Sequence, residues 1–175
     1  MKRVNRVAII GAPGSGKTTL SFKLEKIFDL PVFNIDTIYQ FPNWVMRDPI
    51  ERDAMIIEEA SKDKWIIDGT FIDTLDFRVG RADIIFFLDF STFTFIKGIL
   101  SRYFKNRGKE KPDMPGCIER FDISFFFYVL TYNIRRRKYV LEVLNNHPEK
   151  DIRIFRKRKE LNEWVEKNLG NITEY

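Results

Sequence analysis

The stretch Gly11-Ala12-Pro13-Gly14-Ser15-Gly16-Lys17-Thr18 decides how the rest of the chain is interpreted. Its spacing, G-x-x-x-x-G-K-[ST], is typical of a phosphate-binding loop between a strand and a helix. The glycines let the backbone turn so that successive N–H groups point at phosphate oxygens. Lys17 adds a positive charge for the terminal phosphates, and the Thr18 hydroxyl can bind Mg²⁺. The pattern predicts a triphosphate site formed by Gly11, Ala12, Pro13, Gly14, Ser15, Gly16, Lys17, Thr18 and Thr19.

The residues on either side of this stretch fit the context that the motif requires. Val7–Ile10 is a continuous apolar run, as expected for a strand that is buried on both faces. Apolar residues then recur at helical spacing at Leu20, Leu24, Ile27 and Phe28. The helix that they predict points its positive N-terminal end at the bound anion.

The composition of the whole chain favours one globular domain over residues 1–175. Hydrophobic residues make up 44% of the chain and charged residues 31%, which is ordinary for a globular protein. The single cysteine, Cys117, excludes an internal disulfide and favours a reducing, cytoplasmic location. The longest aromatic-apolar run, Phe125–Leu130, is too short to span a bilayer, and residues 1–4 leave no room for a signal peptide. We expect a monomer or a homodimer without a membrane anchor.

Strand and helix patterns alternate along the chain, which predicts an α/β fold with a parallel sheet covered on both faces. The predicted strands are residues 4–10, 30–36, 64–69, 82–89 and 151–156. Ligands of such sheets bind beyond the carboxyl ends of the strands. The phosphate loop and the strand-end carboxylates Asp36, Asp68 and Asp89 are therefore expected to share one cleft.

Each of these carboxylates has a different expected role. Asp68 is expected to hold Mg²⁺ opposite Thr18. Asp36 has two possible roles, as general base for a substrate hydroxyl or as part of the Mg²⁺ shell. Asp89 is more typical of a residue that orders neighbouring loops.

Phosphoryl transfer also needs cations around the migrating group. Arg78 and Arg102 are the candidate substrate or transition-state contacts, and most of the basic run at residues 135–138 is expected to face solvent. The charged, Gly- and Pro-rich segment Asn106–Cys117 predicts a loop, within a mobile lid that spans about residues 102–120.

Two further helices are predicted in some detail. Asp48 and Pro49 suit the first positions of a helix whose apolar face carries Ile50, Ala54, Ile57 and Ala60. A long helix is expected over residues 119–145. Its aromatic residues at helical spacing favour a place in the core over base stacking. These aromatic residues are Phe121, Phe125, Tyr128 and Tyr132.

Segments along nearly the whole chain resemble one known family. GAPGSGKTTL, LPVFNID, KWIIDGTF, TLDFRVGRADIIFFLD and KPDMPGCIERFD are similar to segments of the DNA topology modulation proteins, which are small P-loop proteins related to adenylate kinase. The resemblance implies a nucleoside-monophosphate-kinase-like, three-layer fold with five parallel strands in the order 2-3-1-4-5. It also implies ATP at Gly11–Thr18 and Mg²⁺ near Thr18 and Asp68, with Asp36 and Arg78 facing the phosphate acceptor.

These observations favour an ATP-dependent kinase that acts on a nucleoside, a nucleotide or another small hydroxylated molecule. Lys17, Asp36 and Arg102 are its candidate catalytic residues, and Asp36, Tyr39 and Arg78 are its candidate acceptor contacts. The alternative is a nucleotide-dependent DNA-binding protein. The net charge of +5 and the family resemblance support this alternative. A GTPase switch is disfavoured because the chain contains no Asn-Lys-x-Asp segment.

Overall fold

A computed structural model describes residues 4–41, 45–111, 114–119 and 122–170, without the side chains of residues 40, 111, 114, 115, 169 and 170. Its strands are β1 (Arg6–Gly11), β2 (Val32–Asn34), β3 (Gln40–Phe41), β4 (Val45–Met46), β5 (Trp65–Asp68), β6 (Ile84–Leu88), β7 (Glu110–Lys111), β8 (Met114–Ile118) and β9 (Asp151–Phe155). Its helices are α1 (Lys17–Phe28), α2 (Ile35–Tyr39), α3 (Pro49–Ser61), α4 (Leu75–Arg81), α5 (Thr92–Asn106), α6 (Ile123–Arg135), α7 (Arg137–Asn145) and α8 (Arg158–Gly170). None of the helices within these ranges is both long enough and apolar enough to cross a membrane.

Five strands form one parallel sheet in the order β2-β5-β1-β6-β9. Numbered along the chain, this is the predicted order 2-3-1-4-5, and the predicted α/β fold is confirmed. The central strand β1 lies between β5 and β6, where Ala8 is opposite both Ile67 and Ile85. Residues 7–10 of this strand are fully buried, which explains why they form an uninterrupted apolar run.

Alternate side chains of the central strand belong to two separate hydrophobic cores, one on each face of the sheet. Val7 and Ile9 pack with residues of α1, α5, α6 and α8, whereas Ala8 and Ile10 pack with residues of α2, α3, α4 and α7. The molecule is thus a sheet between two helical layers, and the carboxyl ends of its strands remain available for a site.

Helix α3 begins as predicted but buries a different face. The Asp48 carboxylate accepts hydrogen bonds from the backbone N–H groups of Ile50 and Glu51. Of the predicted apolar face only Ala60 is buried, because Ala54 is exposed, Ile50 is 82% exposed and Ile57 is 41% exposed. The helix is rotated so that Arg52, Ile56 and Ala60, which follow one another at intervals of four, face inward.

The helix predicted over residues 119–145 is two helices, because the regular pattern ends at Arg136 between α6 and α7. The next residue, Arg137, donates from Nε and Nη2 to the two carboxylate oxygens of Asp89 at 2.7 and 2.8 Å. This bidentate pair holds α7 against the end of β6. Asp89 therefore holds the neighbouring start of α7 in place, as predicted for this residue. Phe121, which was predicted in the same long helix, lies outside the described residues.

The prediction of a loop over Asn106–Cys117 is wrong in two respects. Helix α5 continues to Asn106, and the strands β7 and β8 then pair antiparallel, with Glu110 opposite Ile118. A second short pair of antiparallel strands, β3 with β4, contacts this hairpin. The buried Cys117 thiol of β8 is 3.7 Å from the Phe41 carbonyl oxygen of β3. Cys117 of the β7–β8 hairpin thus contacts Phe41, which is 76 residues away in the sequence. Such a contact has no local signal in the sequence.

Candidate active site

The loop between β1 and α1 has the backbone shape that a phosphate cradle requires. Gly14 and Gly16 both have left-handed backbones, with φ of +79° and +94°. Gly16 is the N-cap of α1, so the first N–H groups of this helix point into the loop. The loop can therefore present several N–H donors to one anion.

A glycine that the sequence analysis missed brings α5 against this loop. A Cβ atom on Gly98 would lie 2.1 Å from the Gly14 carbonyl oxygen, and one on Gly14 would lie 2.4 Å from the Phe95 carbonyl oxygen. The two backbones can approach this closely only because both residues lack a side chain. A glycine inside an otherwise regular helix was the available signal for this contact.

Thr18 and Asp68 are adjacent at the base of the loop. The Thr18 hydroxyl donates to Asp68 Oδ2 at 2.8 Å, and the Asn34 amide nitrogen lies 3.5 Å from the same hydroxyl oxygen. Asp68 is at the carboxyl end of β5, and it is opposite Ile9 in the register with β1. The sheet therefore places a hydroxyl and a buried carboxylate beside the phosphate loop, as the sequence led us to expect.

These two groups fit a magnesium ion. Mg²⁺ prefers hard oxygen ligands and is usually held by one or two carboxylates together with substrate phosphates and water. A hydroxyl and a carboxylate at the foot of a phosphate loop are such a donor set. Within the part of the chain that the structure describes, no group of three or more His, Cys, Asp or Glu side chains forms a self-sufficient metal site.

Lys17 belongs to the phosphate loop and lines the cleft. Its ammonium group is 3.4 Å from the Ala12 carbonyl oxygen, so the side chain folds back over the loop. Arg158, at the start of α8, contacts the same loop and was missed from the sequence. Its Nη2 lies 3.4 Å from the Gly14 carbonyl oxygen and 3.3 Å from that of Ser15.

The structure places Asp36 in the first turn of α2 and not at the end of a strand, because β2 already ends at Asn34. The Asn34 side-chain oxygen accepts a hydrogen bond from the Asp36 N–H at 2.9 Å. The Asp36 carboxylate is exposed and lines the cleft, and Tyr39 lines it one turn later. Both predicted acceptor contacts therefore face the cleft.

Arg78 does not face the cleft, which corrects its prediction as an acceptor contact. The side chain is 0% exposed, and it donates to the carbonyl oxygens of Gly69 at 2.7 Å and Phe71 at 2.6 Å. Burial lowers the pKa of Arg78 to about 9, while the negative charge of Asp68 acts in the opposite direction. The guanidinium remains charged at neutral pH and holds the loop that follows β5.

We expect Arg78→Met to destabilise the fold more than it affects the chemistry. The substitution leaves two buried carbonyl oxygens without their donors and removes a buried charge near Asp68, at a cost of about 3–5 kcal/mol. Urea unfolding of both proteins measures this difference. An unchanged free energy of unfolding would contradict the structural role, and Arg81→Met, whose bonds to α3 reach the surface, is the control.

Arg52 is the most informative residue that the sequence analysis missed. It is only 5% exposed, yet it lines the cleft. Its guanidinium carbon lies 4.0 Å from the ring centre of Phe71 and 4.9 Å from that of Tyr39. Among the described residues, only the Asp53 carboxylate accepts its hydrogen bonds, through Nε and Nη2. Neither of these two hydrogen bonds uses Nη1.

The opposite wall belongs to α6 and to Arg136, the residue between α6 and α7. Phe125, Tyr128 and Tyr132 were expected in the core, and all three line the cleft. Tyr132 is nevertheless a buried core residue, and Phe125 packs against the same core. Burial raises the pKa of Tyr128, Arg136 lowers it, and Tyr39 and Asp36 raise it further. All four groups line the same cleft.

Arg102 lines the cleft from α5, as predicted for a contact of the transferred phosphate. Its Nε is 3.4 Å from Oε2 of Glu119, a carboxylate that the sequence analysis did not consider. The whole cleft has a volume of about 1570 Å³. A typical site for one small ligand has about 300–1,000 Å³, so this cleft has room for a nucleotide and a second molecule.

Comparisons with known proteins agree on the fold. No model of a known protein family matches the chain, and no characterised protein matches it in sequence, so the resemblance to DNA topology modulation proteins stays a prediction. The chain is similar to solved structures of three kinases. A shikimate kinase from Acinetobacter baumannii in complex with shikimate has a TM-score of 0.59 and 14% identity, over 97% of this chain and 93% of that one.

The two other kinases are comparably similar. A gluconokinase from Sinorhizobium meliloti has a TM-score of 0.54 and 15% identity, over 99% of this chain and 94% of that one. A deoxyadenosine kinase from M. mycoides with its products bound has a TM-score of 0.53 and 16% identity, over 95% of this chain and 99% of that one. At such low identities the likeness concerns the fold, and this chain shares the fold of P-loop small-molecule kinases.

Proposed function

We propose that this protein is an ATP-dependent kinase that transfers the γ-phosphate to a small hydroxylated acceptor. The observation that carries the proposal is that one cleft is lined both by the phosphate loop with Thr18, whose hydroxyl contacts Asp68, and by Asp36 and Arg52. A protein that only binds a nucleotide as a switch needs the phosphate loop with Thr18 and Asp68, but not a second polar subsite. A second polar subsite, within the same cleft, is what a transferase needs.

On the donor side, the loop N–H groups and Lys17 bind the terminal phosphates and Arg102 adds positive charge where charge develops. Thr18 and Asp68 would hold Mg²⁺, which would supply positive charge to neutralise the phosphates. Arg158 braces the loop through the Gly14 and Ser15 carbonyl oxygens. These residues fix the phosphates in place, which is the greater part of catalysis in phosphoryl transfer.

On the acceptor side, Asp36 acts as the general base. The acceptor oxygen bonds to the γ-phosphorus while the bond from that phosphorus to the β,γ-bridging oxygen breaks, and the hydroxyl proton passes to the Asp36 carboxylate. ADP leaves with the bridging oxygen. Asp36 suits this role better than a place in the Mg²⁺ shell, because Asp68 already contacts Thr18 and Asp36 is the exposed carboxylate.

The acceptor is an anion in addition to carrying a hydroxyl group. Arg52 is a nearly buried cation that lines the cleft, and only its Nε and Nη2 bond to Asp53. Its stacking occupies a face of Phe71 and a face of Tyr39, so these two faces orient the guanidinium and cannot also stack on a nucleobase. A planar guanidinium held in this way favours a carboxylate or a phosphate on the acceptor.

A thermal-shift panel with a non-hydrolysable ATP analogue tests this function. A ligand that binds the folded state raises the melting temperature by mass action. We expect hydroxy acids or sugar phosphates to add to the shift caused by the analogue with Mg²⁺. Stabilisation by neutral nucleosides alone would contradict the anionic acceptor, and stabilisation by no acceptor at all would count against a kinase.

We expect Arg52→Met to raise the KM for the anionic acceptor at least about 10-fold, because a charge-assisted hydrogen bond contributes about 1.5–3 kcal/mol. Methionine retains the packing between the two rings, so kcat and the melting temperature should change little. Steady-state kinetics on the best ligand of the panel measures both constants. Arg135→Met, on the exposed side of α6, is the matched control. A KM equal to that of the unmodified protein would refute the role of Arg52.

A further inference from the structure

Glu119 and Arg102 form an ion pair at the mouth of the cleft. Glu119 directly follows β8, and its backbone N–H donates to the Lys109 carbonyl oxygen at 2.9 Å. Its side chain is 5% exposed, whereas that of Arg102 is 39% exposed. A carboxylate so removed from water is stable only beside a cation, and Arg102 is the cation that it contacts.

The contact engages only one edge of the arginine. The Nε atom of Arg102 lies 3.4 Å from Glu119 Oε2, and neither atom has a hydrogen-bond partner among the described residues. An arginine presents five N–H donors in a rigid fork, so a carboxylate at Nε restricts the orientation of the whole group. The two Nη groups take no part in this contact, and both residues line the cleft.

We propose that Glu119 is a positioning residue that holds the Arg102 guanidinium toward the terminal phosphates of the nucleotide. The proposal rests on the nucleotide site of the proposed function. Glu119 acts from the β7–β8 hairpin, whereas Arg102 belongs to α5, which packs on the phosphate loop through Gly98. The ion pair thereby connects the hairpin to the place where the triphosphate binds.

Whether Glu119→Gln strengthens or weakens triphosphate binding distinguishes the positioning role from simple electrostatic repulsion. Glu119→Gln removes a negative charge from the neighbourhood of a polyanion, so Coulomb repulsion alone predicts tighter binding of the triphosphate. The positioning role predicts the opposite. Without the ion pair, Arg102 samples other orientations, and its contact with the phosphates loses free energy to side-chain entropy.

The test is a double-mutant cycle on the full chain, read by calorimetric titration with a non-hydrolysable ATP analogue and Mg²⁺. We expect Glu119→Gln to weaken binding about 3–10-fold and Arg102→Gln to weaken it at least as much. In the Arg102→Gln background, Glu119→Gln should have no further effect, because the residue acts only through Arg102. Glu110→Gln, which removes an exposed charge from the same hairpin, is the matched control and should leave the affinity unchanged.

Two results would overturn the proposal. One is tighter or equal binding by Glu119→Gln, and the other is an equal loss of affinity in both backgrounds, as expected if Glu119 only stabilises the hairpin. Glu119→Asp, which keeps the charge, should recover part of the affinity. Because the readout is binding, the cycle can be interpreted even if no acceptor is phosphorylated, so its failure is distinguishable from failure of the proposed kinase function.

Discussion

Lys17→Ala is expected to lower kcat/KM about 10³-fold or more while leaving the fold intact. The ammonium group lies over the phosphate loop, 3.4 Å from the Ala12 carbonyl oxygen, and lines the cleft. Loss of one well-placed charge in a phosphoryl-transfer site costs about 10²–10³-fold in kcat, and weaker nucleotide binding adds to this. Initial rates at several ATP concentrations measure both contributions.

The folding control for this variant is its free energy of unfolding, which should change by less than about 1 kcal/mol because the Lys17 side chain is not part of either core. Lys138→Ala, an exposed residue of α7, controls for the loss of one positive charge. Activity of Lys17→Ala close to that of the unmodified protein would show that the loop does not hold the reacting phosphates.

Asp36→Asn should lower kcat about 10²–10⁴-fold without weakening nucleotide binding. The substitution keeps the size of the side chain but removes its ability to accept the hydroxyl proton, and general-base catalysis contributes about this factor. The carboxylate lines the cleft from the start of α2 and is exposed, whereas Asp68 is buried against Thr18. Rapid-mixing measurements of the chemical step, with a separate titration of the ATP analogue, distinguish the two effects.

The same variant decides between the two possible roles of Asp36. A general base leaves the Mg²⁺ concentration for half-maximal activity unchanged, whereas a ligand of the metal raises it when lost. Asp68→Asn provides the comparison, since we expect that variant to need more Mg²⁺. If Asp36→Asn shifts the Mg²⁺ requirement as far as Asp68→Asn does, the residue belongs to the metal site and not to proton transfer.

The fold and the nucleotide half of the cleft could be predicted because their signals are local. Residues 7–10 are an apolar run because both faces of the central strand are buried, and the loop that follows has a fixed spacing of glycines. The rule that ligands bind at the carboxyl ends of parallel strands then brought Asp68 to Thr18 without any knowledge of distances. The structure puts these two residues in hydrogen-bond contact.

The acceptor half depends on contacts between residues far apart in sequence, and these have no local signal. The row Ile50, Ala54, Ile57 and Ala60 is more apolar than the row Arg52, Ile56 and Ala60, so the periodicity favoured a face of α3 that shares only Ala60 with the buried one. Only the folded chain brings the rings of Tyr39 and Phe71 to Arg52.

Arg78 was wrongly predicted as a substrate contact, whereas Glu119, which lines the cleft, was overlooked. An arginine soon after a strand-end carboxylate is typical of a substrate contact, but here the loop of residues 69–74 needs an internal donor, and Arg78 provides it. Glu119 was overlooked because it follows a segment that was interpreted as a loop. Its burial is a consequence of the β7–β8 hairpin, whose buried Cys117 contacts Phe41.

The most direct test of the account is to follow the γ-phosphate of ATP by ³¹P NMR in the presence of Mg²⁺ and the acceptors that stabilise the protein. The account predicts that the γ-phosphate signal is replaced by that of a phosphate ester on a hydroxylated anion, with one ADP formed per ester, and that Lys17→Ala abolishes the change. ATP that binds but stays intact with every acceptor, or that yields only inorganic phosphate, would contradict it.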